Sequence, residues 1–288
     1  MKSEKIIKLL LIGMLCSAMP MTAAMEYLKG RWHHNDPIFQ AIKTNDIGAV
    51  KSLLAEKVDI EVRNKFGRTP LLAAVNERNL GTARELITAR ANMEAIDATG
   101  YTPLILATFT QDVNIVRELL SSKANVNACN QFGNSSLMVA AAKGYADIAQ
   151  ELLNAGADVD MSAGLSEDRC NALLIAASRG HTVEVRKLLD AKASIEKRDK
   201  DGSTALHYAA SRGYEDTVQV LLAAKADTYS RNKDGYTPRS IAEQQKNKEI
   251  TSMILDARKA KVAAVADVLE PGAVVLPSAP EASSGGTQ

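Results

Sequence analysis

The sequence predicts an all-α solenoid, in which short helix-turn-helix units stack in a row around one continuous core. Three observations carry this. Gly67, Gly100 and Gly133 stand 33 residues apart, and so do Gly202 and Gly235. A leucine column (Leu71, Leu104, Leu137, Leu173, Leu206) keeps the same period, except for one step of 36. Aromatic residues make up only 4% of a chain that is 46% hydrophobic, so the core must be built from Ala, Leu, Ile and Val, which favours close helix packing. Between Gly133 and Gly202 lie two periods and three extra residues, so one copy lacks that glycine and carries an insertion. A fixed period of this size marks a stacked repeat architecture.

Six stretches make the copies explicit: "GRTPLLAAV" (67–75), "GYTPLILAT" (100–108), "GNSSLMVAA" (133–141), "NALLIAASRGH" (171–181), "GSTALHYAASRGY" (202–214) and "GYTPRSIAE" (235–243). Each precedes a second-helix pattern such as "IVRELLSSKANVNA" (115–128) or "IAQELLNAGADVDM" (148–161). The chain here resembles the ankyrin repeat family. That resemblance implies β-hairpin loops projecting between helix pairs, and a concave face on which a protein partner is held.

Taken in order, residues 1–24 have the layout of a bacterial-type secretory signal: Lys2, Lys5 and Lys8, an apolar run over about 6–15, then small residues. Cleavage is expected after Ala24, with Ala18 as the alternative site, and an uncleaved anchor as the alternative fate. Cys16 follows Met14 and Leu15, which suit lipoprotein processing poorly. Export to the periplasm or the surroundings is expected, with no membrane span in the mature chain. Residues 25–35 read as a linker. The repeat domain covers 36–258: an N-terminal cap (36–62), then 63–95, 96–128, 129–161, 162–197, 198–229 and a C-terminal cap (230–258). A helical extension (259–270) and a tail rich in Pro, Ser, Gly and Ala, expected to be disordered (271–288), complete the chain.

The residue types suit the scheme. Thr69-Pro70, Thr102-Pro103 and Thr237-Pro238 place a capping hydroxyl before a proline at the first helical position. Alanine pairs (Ala73-Ala74, Ala140-Ala141, Ala176-Ala177, Ala209-Ala210) are small where helices of neighbouring copies meet. Leucine pairs such as Leu119-Leu120, Leu152-Leu153, Leu188-Leu189 and Leu221-Leu222 are expected to fill the layer between copies.

The chain departs from the family after the second helix, where glycine is usual. Gly156 keeps it, but Lys57, Arg90, Lys123, Lys192 and Lys225 replace it. A cation there offsets part of the strain of a left-handed residue through the helix dipole. The alternative is a basic column that binds an acidic partner. The insertion falls in "MSAGLSEDRCNALL" (161–174), read as a bulged hairpin tip (161–170) or a recognition loop. In the last copy Arg239 stands in the leucine column, which suits a wetted cap.

No nucleophile-base pair, metal-ligand spacing or phosphate-binding loop is found, so no catalytic residue, metal site or cofactor is expected. The least favoured alternative is an enzyme or metal site near Cys170 and His181. His33 and His34 are adjacent and cannot share one ligand site from a regular element. Cys129 and Cys170 are read as isolated thiols. With 35 basic against 34 acidic residues, nothing draws the chain globally to nucleic acid. A monomer with a protein partner is expected. Carried over by position, the concave face comprises Phe66, Arg68, Thr99, Tyr101, Phe132 and Asn134 from the hairpins. The first helices add Asn76, Phe109, Ser178, Arg179, Ser211 and Arg212. Three of the four phenylalanines fall on this face, although Phe66 and Phe132 could instead pack hairpin against hairpin.

Overall fold

The computed structural model describes residues 36–162 and 170–269. The signal segment, the linker with His33 and His34, the tip of the insertion (163–169) and the tail lie outside the described residues. Among the described residues fourteen helices form seven pairs. They are α1 (Pro37–Lys43) with α2 (Ile47–Ala55), α3 (Pro70–Asn76) with α4 (Leu80–Thr88), and α5 (Pro103–Phe109) with α6 (Val113–Ser121). Then come α7 (Ser136–Lys143) with α8 (Ala146–Asn154), and α9 (Ala172–Arg179) with α10 (Thr182–Asp190). The last pairs are α11 (Ala205–Arg212) with α12 (Glu215–Ala223), and α13 (Pro238–Gln244) with α14 (Lys248–Leu269). Each first helix packs on the first helix of the next pair and each second helix on the next second helix, giving an inner and an outer layer.

The helices start where the sequence says they should. Thr69 Oγ1 accepts from the Leu72 amide at 3.4 Å, Thr102 Oγ1 from Ile105 at 3.3 Å, and Thr237 Oγ1 from Ser240 at 3.2 Å. Where Thr-Pro is missing, Asn171 takes over, accepting from Leu174 at 3.0 Å. The core runs the length of the stack: the leucine column and the alanine pairs are buried throughout. The leucine pairs divide differently. Leu119, Leu152, Leu188 and Leu221 are fully buried, while Leu120, Leu153, Leu189 and Leu222 are only partly so. Successive residues on a helix point about 100° apart, so only one of each pair can face the core.

What projects between pairs is a tight turn. Among the described residues there is no strand, only an isolated bridge between Cys129 and Ser135. Each of the five fully described turns is closed by two main-chain bonds, for example Gly67 N–H to Asn64 O (2.8 Å) and Asn64 N–H to Arg68 O (3.0 Å). A column the sequence reading missed organises the turns: Asn64, Asp97, Asn130, Asp199 and Asn232. Asn130 Oδ1, for instance, accepts from the Phe132 and Asn134 amides at 2.9 and 3.0 Å. These are side-chain mimics of a backbone turn.

A second unpredicted column ties the first six copies together, each to the next. Glu61 accepts from the Asn92 amide (2.7 Å), Glu94 from Asn125 (2.8 Å), Asn127 from Asp158 (2.8 Å), Asp160 from Ser194 (3.0 Å) and Glu196 from Asp227 (2.7 Å). The Asp160 rung spans the insertion, so three extra residues leave the ladder continuous. Among the described residues no helix is long and apolar enough to cross a membrane.

Candidate partner-binding face

The turns and the C-terminal ends of the first helices form one continuous edge. Tyr101, from a turn, reaches Phe109, the last residue of α5, with ring centroids 5.8 Å apart. Lys143, ending α7, sets its Nζ 4.9 Å from the Phe109 centroid. On the preceding turn, Lys65 Nζ lies 4.9 Å and the Arg68 guanidinium 5.5 Å from the Phe66 centroid. Arg68 also pairs with Asp97 at 3.5 Å. Phe66, Phe109 and Phe132 are 52, 44 and 55% exposed, whereas the fourth phenylalanine, Phe39, packs against the core. Turn-to-turn packing is made by main chain, Ala98 N–H to Phe66 O at 3.2 Å, and leaves the Phe66 ring half in solvent.

The polar residues expected on this face are largely committed inside the protein. Thr99 donates its hydroxyl to Asp97 Oδ1 at 2.6 Å, Ser178 to Ile175 O at 2.8 Å, and Ser211 to Tyr208 O at 3.0 Å. Asn76 Nδ2 donates to Glu77 at 3.1 Å, and the Asn134 main-chain N–H donates to Asn130 Oδ1 at 3.0 Å. Arg179 and Arg212 end α9 and α11 and are exposed. The groups available to a visitor are therefore rings and cations. Lys143 escaped the sequence reading, although it occupies the same repeat position as Arg179 and Arg212.

The basic column after the second helices adopts the expected left-handed conformation. Lys57, Arg90, Lys123, Lys192 and Lys225 have φ between 59 and 72°, as Gly156 does at 84°. A non-glycine residue there costs roughly 1 kcal/mol.

The alternative centre near Cys170 and His181 fares differently. His181 Nε2 lies 3.3 Å from Ala142 O, so the imidazole is joined to the preceding repeat. No disulfide joins Cys129 and Cys170. Partial burial pushes the Cys129 thiol up, away from the reactive thiolate, and its Sγ rests 3.7 Å from Asn127 O and from Met161 Sδ. Among the described residues no group of three or more His, Cys, Asp or Glu is placed to hold a metal. His207 is buried, with Nε2 3.1 Å from Tyr236 O and Nδ1 accepting from the Thr204 amide at 3.2 Å. That fixes a neutral ring linking two repeats. Its burial pushes its pKa down, only partly opposed by the Tyr236 carbonyl.

A family model for ankyrin repeats, spanning three copies, matches residues 38–130, 86–163, 137–232 and 173–266. This chain belongs to the ankyrin repeat family. Among solved structures it is similar to the ankyrin repeat domain of Bcl-3, a unique member of the IkappaB protein family. The TM-score is 0.70 with 28% identity, covering 77% of this chain and 98% of that one. The human ASB11 ankyrin repeat domain shares the fold at a TM-score of 0.64 and 22% identity, covering 77% of this chain and 97% of that one. No curated protein sequence matches the chain. Ankyrin repeats are generally protein–protein interaction domains, and the fold is typically a non-catalytic scaffold.

Proposed function

We propose that this chain is an exported, non-catalytic scaffold that holds a protein partner on the edge formed by its turns and first-helix ends. The observation that carries the reading is the placement of phenylalanine. Three of four rings stand about half exposed on that edge, in a chain that otherwise spends few aromatics. Aromatic side chains in such positions make strong interface anchors, because they bury a large rigid area at low entropic cost. The hydroxyls beside them are already satisfied internally, so rings and cations, rather than Ser or Thr, are the contact groups. Export rests on the N-terminal pattern of lysines, apolar run and small residues.

The test is capture of partners by the processed chain, recovered outside the cytoplasm with its N-terminus at Met25. Phe66→Ala with Phe109→Ala is expected to reduce capture by about tenfold or more, from the loss of two anchors at roughly 1–2 kcal/mol each. Helical content and melting should stay as in wild type, since neither ring lies in the core. Equal capture by both proteins would remove the proposed face, and retention of an unprocessed chain in the cytoplasm would remove export.

A further inference from the structure

We infer that the partner presents an extended, acidic polypeptide segment carrying apolar side chains; this deepens the scaffold reading and rests on it. The inference comes from where the chain leaves its charges uncompensated. On the outer layer of the first four pairs, cations are matched between neighbouring repeats: Lys51 to Glu85 at 3.3 Å, Arg84 to Glu118 at 2.7 Å, and Arg117 to Glu151 at 2.7 Å. On the inner edge Arg68 pairs with Asp97 and Arg78 with Asp112, both at 3.5 Å, but the cations that end the later first helices are not matched. Lys143, Arg179 and Arg212 end α7, α9 and α11 in register, all exposed, and among the described residues none has a carboxylate within 4 Å. Lys65, beside Phe66 at the far tip, is in the same condition.

This column is distinct from the strained residues after the second helices, because it faces the groove that holds Phe109. Among the described residues the opposing charges are few. Glu77 occupies the Lys143 position two repeats earlier and is bonded by Asn76, while Asp201 and Asp234 sit on the C-terminal turns beside Lys200 and Lys233. The spacing suits a strand. Neighbouring helix axes lie about 8–10 Å apart, and an extended chain rises about 3.3 Å per residue. Successive cations therefore meet roughly every third residue of an extended segment. Phe66 and Phe109 alongside, each with a cation over its face, supply apolar contact between the charges. The acids on the turns and the near-neutral chain disfavour a polyphosphate in the same place.

The experiment measures binding of the processed full chain to fluorescent peptides of repeated Glu-Ser-Phe, Lys-Ser-Phe and Glu-Ser-Ser triplets, and to an oligothymidylate of similar length. Glu-Ser-Phe is expected to bind most tightly, and to weaken about tenfold or more when salt is raised severalfold past the roughly 10 Å screening regime. The triple variant Lys143→Glu, Arg179→Glu, Arg212→Glu should lose at least about tenfold in affinity while melting like wild type, since those side chains are exposed. Lys-Ser-Phe binding as tightly as Glu-Ser-Phe would overturn the inference. So would an indifferent triple variant, tighter binding of the oligothymidylate, no binding of Glu-Ser-Phe, or self-association that occupies the face. If the triple variant captures the cellular partner normally while the Phe66/Phe109 variant does not, the acidic segment falls and the scaffold stands. If both capture normally, both fall.

Discussion

The two halves of the stack close the same inner turn by different chemistry. In the N-terminal half the residue after the first helix is left-handed without being glycine: Asn45, Arg78 and Gln111 have φ of 54, 59 and 57°. Arg78 there reaches the helix cap of the next repeat, Asp112, at 3.5 Å. In the next three pairs the same place is Gly144, Gly180 or Gly213, and the last pair returns to a left-handed non-glycine, Lys246, with φ of 57°. At Gly144 and Gly180 the next repeat's cap position is then a ring lying on the glycine, while Gly213 meets the Asn247 amide. A Cβ at Gly144 would stand 2.8 Å from His181 Nδ1, and one at Gly180 2.8 Å from Tyr214 Cδ1. The first solution tolerates backbone strain and leaves room at the edge, where Phe109 projects. The second fills that room with an inter-repeat contact. The exposed phenylalanines lie in the first half or at its border, on the turns of residues 66 and 132 and at the end of α5, while the C-terminal turns carry Asp201 and Asp234 instead. The lesson is that one solenoid closes the same turn in two ways, and that the exposed rings on which we propose docking stand where the turns are not packed by a neighbouring ring.

The harshest way to break that comparison is Gly180→Ala. It adds roughly 1 kcal/mol of left-handed strain and about 1–3 kcal/mol from displacing the Tyr214 ring. We expect urea unfolding to report a loss of about 2–4 kcal/mol in total, and a loss under about 0.5 kcal/mol would refute the ring-on-glycine account. Acid should also single out the C-terminal half, through His207. Its folded pKa lies below the ordinary histidine value because it is buried, so the unfolded chain takes up the proton first. Stability is therefore full above about pH 6.5 and falls as pH drops through that value toward the folded pKa, by at most about 1.4 kcal/mol per unit. Chemical denaturation of wild type and His207→Gln at pH 7.5 and 5.5 checks this; an equal acid response in both would contradict it. The gentlest probe is Arg78→Gly. It relieves about 1 kcal/mol of strain and gives up an exposed ion pair worth less than that. The variant should stay within about 1 kcal/mol of wild type, far from the Gly180→Ala loss.

Much of this was legible in the sequence, for a physical reason. Repeats must bury one another, so the glycine and leucine columns, the Thr-Pro starts and the alanine pairs recur at fixed spacing, and the structure places them as expected. The left-handed residues after the second helices were legible too, because Gly156 keeps the family's residue among five cations. What escaped were side chains whose role is to accept a main-chain bond. Asn64 and Asp97 in the turns, and Glu61, Glu94 and Asp160 between repeats, look like ordinary surface polarity until the amides they satisfy are seen. The leucine pairs suggest a single layer in sequence because adjacency hides the rotation of a helix. Of the proposed face, the exposure of the three rings was legible from their repeat positions, but the place of Lys143 over Phe109 was not. Its meaning depends on the Phe109 ring beneath it and on the absence, among the described residues, of a carboxylate nearby.

The most direct measurement is amide hydrogen exchange on the processed chain with and without its captured partner. Added protection should concentrate at the turns of residues 64–68, 97–101 and 130–134 and at the ends of α5, α7 and α9, with the outer helices α4, α6 and α8 unchanged. Protection confined to the outer layer, or to the C-terminal turns alone, would contradict the account.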